Sequence, residues 1–300
     1  MNATSTRGFR SGFVTFVGRP NAGKSTLLNK ILGTKVSIVS DKPQTTRTRI
    51  LGVLHRPEAQ VVFVDTPGIH KPVTPLGERL NATAQSSLDA DVVCLVLDAT
   101  APVGRGDEFI AKGLDPGALV IVTKIDIADP AVVLAQLEAA SRFDAAAYFP
   151  VSGRTGRGVE ALVDAVIARL PEGPEWFPDD VVTDVPEAYH VAELVREQLL
   201  SRVREELPYS IATRVTEWDW PYIKCEILVE RDSQKGMVIG KGGTLLKQVG
   251  TAVRAQLPEG AYLELQVKVM KDWQRRPAAL DRLLDHDSGD LDSHDLGEID

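Results

Sequence analysis

The stretch Gly18-Arg19-Pro20-Asn21-Ala22-Gly23-Lys24-Ser25 matches the spacing G-x-x-x-x-G-K-[ST]. A β-rich apolar run over residues 13–17 precedes it, and an apolar helix pattern opens at Lys24. Strand, tight turn and helix in that order form a loop whose backbone N–H groups point inward. The positive end of the helix stands behind them, so the loop wraps phosphate oxygens. Lys24 is placed to reach β- and γ-phosphates, and the Ser25 hydroxyl to ligate Mg²⁺. The candidate phosphate-binding residues are therefore Gly18, Arg19, Pro20, Asn21, Ala22, Gly23, Lys24, Ser25 and Thr26. Taken alone, this loop establishes only nucleoside triphosphate binding.

Downstream, a strand over 61–64 ends in Asp65-Thr66-Pro67-Gly68-Ile69. A carboxylate at the C-terminal end of a strand lies where open α/β sheets bind ligands. Asp65 is expected to hold the metal's water shell, and the Gly68 N–H to bond a γ-phosphate oxygen. Between the two motifs lies Gln44-Thr45-Thr46-Arg47-Thr48, a polar stretch that reads locally as a solvated loop. A threonine here completes the metal sphere only when the γ-phosphate is present. Thr46 is the choice and Thr45 the alternative. Ordering of such a loop by the γ-phosphate is a switch mechanism.

A third strand, over 119–122, runs into Thr123-Lys124-Ile125-Asp126. The Asp126 carboxylate can accept from guanine N1–H and N2–H₂ together. Adenine offers neither donor and would leave a carboxylate unpaired, so this residue selects GTP over ATP. The aliphatic stem of Lys124 can lie on the base plane. Ser152-Gly153, at the end of the next strand, offers a backbone N–H to guanine O6.

The surrounding pattern sets the fold class. Strands are expected over 12–17, 49–55, 60–65, 92–98, 118–124 and 147–151. Helices are expected over 24–32, 77–88, 106–113, 130–140 and 158–170. This alternation gives an α/β domain, a mixed and mostly parallel sheet with helices on both faces, over residues 12–172 after a short N-terminal tail at 1–11. Residues 173–186, rich in proline and acids, read as a linker. Beyond it the pattern is helix 187–206, strands 210–218 and 222–231, a glycine-rich turn at 240–243, helix 244–256 and strand 262–270. That order suggests a small α+β domain over 187–280. Residues 281–300 read as a disordered acidic tail.

Charge is unevenly distributed. The chain of 300 residues carries a net charge of −8, which on its face disfavours a nucleic-acid partner. Residues 278–300, however, hold eight acids and one base, nearly the whole excess. Residues 235–276 hold eight bases against three acids. A basic segment is thus followed by an acidic tail, which serves either as a decoy for the basic surface or as a solubiliser. Apolar content of 43% describes an ordinary globular chain. No apolar run is long enough to span a membrane, and no signal peptide is read at the N-terminus. Cys94 and Cys225 sit in strand-like segments and are expected to be buried reduced thiols of a cytoplasmic protein.

Taken together, Gly-Arg-Pro-Asn-Ala-Gly-Lys-Ser-Thr, Pro-Gln-Thr-Thr-Arg, Asp-Thr-Pro-Gly-Ile and Thr-Lys-Ile-Asp resemble the G1 to G4 motifs of the Era GTPases. Val238-Ile239-Gly240-Lys241-Gly242-Gly243 is similar to the G-x-x-G loop of a type II KH domain, the RNA-binding half of that family. The resemblance covers about residues 12–277. It implies GTP hydrolysis, binding of 16S rRNA, a role in maturation of the 30S subunit and peripheral association with the inner face of the cell membrane. A monomer is expected.

In the KH half, Lys235, Lys241, Lys247 and Arg254 supply charge, and Val238 and Ile239 are expected to line an apolar groove for single-stranded RNA. Two positions depart from the family pattern: Thr123 stands where Asn is usual, and Gly153 where Ala is usual. A third feature bears on rate. Many GTPases orient the attacking water with a Gln just after Asp-x-x-Gly; here that place is Ile69. Slow intrinsic turnover is expected, carried by Lys24, Thr46, the Gly68 backbone and the metal. Arg19 and Arg47 are candidate charge donors that read first as solvent-exposed loop residues. The alternative function is an RNA-binding assembly factor that uses GTP or GDP as a structural ligand with little turnover.

Overall fold

A computed structural model describes residues 8–69, 75–86, 88–204 and 206–284. The acidic tail beyond 284 and the first residues of the N-terminal tail lie outside these. The chain divides into two compact units whose main boundary falls between Asp184 and Val185, with the short stretch Ser40–Lys42 and residues 75–76 grouped with the second.

The first unit is built on six strands: β1 (Arg10–Val17), β2 (Ile50–Arg56), β3 (Ala59–Asp65), β4 (Val92–Asp98), β5 (Leu119–Thr123) and β6 (Ala147–Pro150). Its helices are α1 (Lys24–Leu32), α2 (Pro75–Ser86), α3 (Arg105–Ala111), α4 (Pro130–Ala140) and α5 (Val159–Ile167). The sheet order is β2-β3-β1-β4-β5-β6. Only β2 runs antiparallel, paired to β3 from Ile50↔Asp65 to Arg56↔Ala59. A two-residue connection (residues 57–58) permits nothing else, because a parallel neighbour needs a crossover.

The central strands are near-continuous runs of Val, Ile, Leu and Phe. Such runs are buried on both faces, and β3 is buried along its whole length. On one face Val17, Leu95, Leu97, Ile110, Val120 and Val122 form a core against α3 and α4. Parallel register aligns the strand ends, with Phe16 beside Asp65, Val17 beside Leu95 and Asp98 beside Thr123. The loops after β1, β3, β4 and β5 therefore open on one edge of the sheet, where α/β proteins bind ligands.

Residues 173–184 are no free linker. Trp176 and Phe177 donate backbone N–H groups to Gln60 Oε1 at 2.6 and 3.0 Å, and Gln60 Nε2 donates to the Phe177 carbonyl at 2.7 Å. Val53 N–H donates to the Val182 carbonyl at 2.8 Å, and Phe177 packs on Leu51, Val62 and Val64. The segment's prolines exclude helix and central strand, as expected. They do not exclude an extended strap whose polar groups are satisfied by Gln60 and by the backbone of β2.

The second unit contains α6 (Glu187–Leu200), the short α7 (Leu207–Ser210), β7 (Ala212–Asp219), β8 (Tyr222–Val229), α8 (Asp232–Ile239), α9 (Thr244–Arg254), β9 (Tyr262–Val269) and α10 (Pro277–Leu284). The sheet order is β7-β8-β9, with β7–β8 antiparallel and β8–β9 parallel. Apart from the short α7 and the terminal α10, this helix–strand–strand–helix–helix–strand order is the type II KH arrangement.

Helix α6 is shorter than its sequence pattern and ends at Leu200. Helices α8 and α10 have no counterpart in the sequence reading. Helix α8 has Gly236 in its middle and little apolar periodicity. Its N-terminus is held by the buried Gln234, which accepts locally from Glu230 N–H at 2.9 Å and Arg231 N–H at 3.1 Å and donates across the fold to Ser210 Oγ at 3.0 Å. The Trp273 ring is wholly buried, and its Nε1 donates to the Ser210 carbonyl at 3.0 Å.

Candidate nucleotide site and RNA-binding loop

The phosphate loop leaves β1 at Val17 and enters α1 at Lys24. Asn21 and Gly23 take positive φ, 62° and 94°. Gly23 caps α1 with no side-chain hydrogen bond, so the first helical N–H groups face the loop. Lys24 is 6% exposed, and its ammonium lies 3.3 Å from the Gly18 carbonyl and 3.2 Å from that of Arg19. Burial lowers its pKa to about 8, an effect that the Asp65 charge partly opposes. Thr26 is half-buried in the first turn of α1.

Four oxygens converge beside it. Ser25 Oγ donates to Asp65 Oδ2 at 2.7 Å and lies 3.0 Å from Thr46 Oγ1; Ser37 Oγ donates to the same Asp65 oxygen at 2.8 Å. Asp65 is wholly buried, and burial raises its pKa despite these bonds and Lys24. Its other oxygen, Oδ1, has no hydrogen-bond partner among the described residues. A buried carboxylate with a spare oxygen beside two hydroxyls fits a hard divalent cation or its water. The structure brings Ser25, Thr46 and Asp65 together.

The loop after β3 lies against the phosphate loop. Thr66 Oγ1 donates to the Phe16 carbonyl at 3.2 Å, Ile69 N–H donates to the Gly18 carbonyl at 3.2 Å, and Pro67 is buried. A Cβ on Gly68 would stand 2.5 Å from the Pro20 nitrogen, so only glycine permits this approach.

The stretch 45–48 differs from its reading as a solvated loop. Thr45, Thr46, Arg47 and Thr48 are all under 10% exposed. Arg47 is therefore not the solvent-exposed arginine expected. Arg19 is half-exposed and pairs with Asp107 of α3 at 3.3 Å.

At the base end, Thr123 Oγ1 lies 2.5 Å from the Ala22 carbonyl and 2.9 Å from that of Leu97. Lys124 takes φ 61° and its ammonium meets Asp98 Oδ2 at 2.6 Å. Asp126 is exposed, and Ser152 Oγ, itself buried, donates to its Oδ1 at 2.8 Å. Ile125, half-buried, is joined to the next loop through the Val151 carbonyl at 3.4 Å. Gly153 lies flush on α1, where a Cβ would stand 3.0 Å from Leu27 Cα and N. Its lack of a side chain permits this close approach.

In the second unit, Gly240, Gly242 and Gly243 all take positive φ (75°, 61° and 77°), and Lys241 projects from the turn exposed. Lys235, Lys247 and Arg254 are exposed on the flanking helices α8 and α9. Val238 is wholly buried, so the groove-lining role expected of it is withdrawn. Ile239 is half-buried, and Met237, 61% exposed, adds an apolar surface beside the turn. A glycine turn allowing close backbone approach, ringed by cations and flanked by apolar side chains, is suited to an RNA backbone.

A family model described as a 50S ribosome-binding GTPase matches residues 13–124, and a KH-domain model matches residues 206–274. GTPase Era of Mycobacterium sp. (strain JLS) is 47% identical over 294 residues, covering 92% of this chain and 98% of that protein. GTPase Era of Mycobacterium tuberculosis (strain ATCC 25177 / H37Ra) is 46% identical with the same coverage. The chain belongs to the Era family of GTPases. A crystal structure of Era with MgGDPNP and nucleotides 1506–1542 of 16S ribosomal RNA superposes with a TM-score of 0.87 at 40% identity, covering 93% of this chain and 99% of that one. A single-residue variant of Aquifex aeolicus Era bound to GDP·AlF4⁻ gives the same values.

Era membership makes the chain a GTPase and gives the departures their context. In this Era GTPase the Thr123 hydroxyl reaches both the phosphate loop and β4, but its single proton serves one carbonyl at a time. Sequence reasoning missed Ser37, Asp98, Asp107 and Met237. Asp98 carried a signal, since it ends β4 in register with Thr123. Ser37 carried none, because only the fold brings it to Asp65.

Proposed function

We propose that this Era GTPase is a GTP-driven switch that holds the 3′ region of 16S rRNA during maturation of the 30S subunit. The observation that carries this reading is the near end-to-end match to an Era bound at once to MgGDPNP and to 16S nucleotides. Both modules that such a protein needs are built here, one in each unit. Crosslinking in cells followed by sequencing of bound RNA tests it. Enrichment of the 3′ end of the small-subunit rRNA is expected, and a random sample of mRNA would overturn the reading.

In the proposed mechanism the loop N–H groups from Gly18 to Thr26 bind the phosphates, and Lys24 exchanges its loop carbonyls for β- and γ-phosphate oxygens. The Ser25 and Thr46 hydroxyls would hold Mg²⁺, with Asp65 acting through water. The ion would supply charge neutralisation on the transferring phosphoryl group. Thr66 and Pro67 shape the turn that aims the Gly68 N–H at the γ-phosphate. Asp126 reads guanine, Lys124 covers the base, Thr123 and Ile125 fix that loop, and the Ser152–Gly153 backbone meets O6. Ile69 has no group that orients water, so turnover is slow until RNA or a partner reshapes the switch loops. Hydrolysis abolished by Lys24→Ala separates this reading from a structural-ligand role, under which the parent itself would show little turnover for the substitution to remove.

RNA is held by the turn Gly240–Gly243 with Lys235, Ile239 and Lys247. We further propose residence in the cytoplasm as a monomer, to be checked by sedimentation. Peripheral membrane attachment is a separate proposal, tested by liposome flotation. No helix among the described residues is long and apolar enough to cross a membrane.

A further inference from the structure

Asp98 closes β4 one strand away from the base-reading loop. Its Oδ1 accepts from Thr100 N–H at 2.8 Å and lies 2.6 Å from Thr100 Oγ1, while its Oδ2 meets the Lys124 ammonium at 2.6 Å. The carboxylate is thus held from one side and holds from the other. Register pairs Asp98 with Thr123, the residue before Lys124, so the ion pair spans two adjacent strand ends. Both side chains are partly screened, at 21% and 31% exposure.

Lysine is a flexible four-carbon stem ending in a strongly hydrated point charge. A stem that must lie flat on a base binds better if its far end is already tied down, because ordering it then costs less at the moment of binding. The ammonium finds its partner in Asp98, while the Asp126 carboxylate accepts from Ser152 Oγ through its Oδ1.

We propose that Asp98 is a positioning residue for guanine-nucleotide binding, tethering the Lys124 ammonium so that its stem forms a preformed shelf for the base. This rests on the reading of Lys124 and Asp126 as base contacts. Asp98 acts through Lys124 and is given no contact of its own with the nucleotide. The shelf is indifferent to which purine lies on it, whereas Asp126 discriminates between purines. The two contributions are therefore separable.

The test is a double-mutant cycle on the full chain with Asp98→Asn and Lys124→Ala, titrated with GDP and with IDP, which lacks the N2 amine. Asp98→Asn is expected to weaken GDP on the order of 5- to 10-fold. It should weaken IDP by the same factor, leaving the GDP/IDP preference unchanged. In the Lys124→Ala background, Asp98→Asn should have no further effect. An equal loss in both backgrounds, or a collapse of the GDP/IDP preference, would show that Asp98 merely braces the loop and overturn the inference. Lys124→Ala weakening GDP while Asp98→Asn does not would overturn it alone. Lys124→Ala leaving GDP binding intact would sink the underlying reading of Lys124. Thermal unfolding of each unliganded variant within a degree or two of the parent shows that the fold survives.

Discussion

Thr123 Oγ1 lies 2.5 Å from the carbonyl oxygen of Ala22, although 101 residues separate them in sequence. This contact joins the end of β5 to the loop after β1, so the proposed base-reading and phosphate-binding halves of the site share one hydroxyl. Thr123→Val keeps the shape and removes the donor. It is expected to cost about 1–2 kcal/mol of GDP binding, a 5- to 30-fold rise in Kd. Calorimetric titration with GDP checks this, and an unchanged Kd would show that the contact is incidental.

Lys24 is expected to lower the stability of the empty protein. Its folded pKa of about 8 lies below the unfolded value of roughly 10.4, so the unfolded chain binds more protons between the two. Stability therefore rises with pH across that window, and below it the burial of charge costs about 3 kcal/mol. Lys24→Met is expected to raise the Tm of the nucleotide-free protein at pH 7 and to abolish the rise in Tm that GDP gives the parent. Thermal scans with and without GDP decide it.

Glu226 is 2% exposed and lies between Lys268 and Arg214, whose Nη2 is 2.8 Å away. Burial by itself would raise its pKa, but the two cations outweigh burial and hold it below the ordinary carboxylate value. A depressed folded pKa gives stability that is full above the unfolded value of roughly 4.3 and is lost as pH falls through the folded one. Glu226→Gln is expected to cost about 2 kcal/mol at pH 7, reduced from the range for fully buried pairs because Lys268 is half-exposed. Urea unfolding should show that difference shrinking toward pH 3.

The turn at Gly240–Gly243 separates backbone from charge. Gly240 sits at φ 75°, ψ 166°, and a Cβ there would stand 2.9 Å from Leu245 N. Gly240→Ala is expected to cost about 1–3 kcal/mol of local strain and to weaken RNA at every salt concentration. Lys241→Gln should leave stability unchanged and lower the slope of log K against log salt by about 0.7 for a single strand. Filter binding of a 16S 3′-end oligonucleotide across a salt series distinguishes the two.

The fold of the first unit is readable because its signals are local. Strand runs of Val, Ile and Phe, a loop of fixed spacing and a carboxylate at a strand end each lie within about ten residues. The glycine turn of the second unit is readable for the same reason. Helix α8 is not, because Gly236 and weak periodicity give no local signal and its N-terminus is fixed by Gln234 reaching Ser210. The strap over 173–184 is hidden likewise: prolines announce the absence of helix but not the Gln60 side chain that anchors it.

Residue types and spacing are enough to propose the chemistry, namely phosphate at Lys24, metal at Ser25 and Asp65, guanine at Asp126 and RNA at Gly240–Gly243. Tertiary structure alone decides which atoms share partners. Thr123 bridges two segments, Ser37 joins Ser25 on Asp65, Asp98 holds Lys124, the stretch 45–48 is buried, and Val238 belongs to the core rather than the groove. The physical reason is range. A backbone preference or a periodic face is set by neighbours in sequence, whereas a hydrogen bond or a buried charge depends on residues that only the parallel register of the strands brings together.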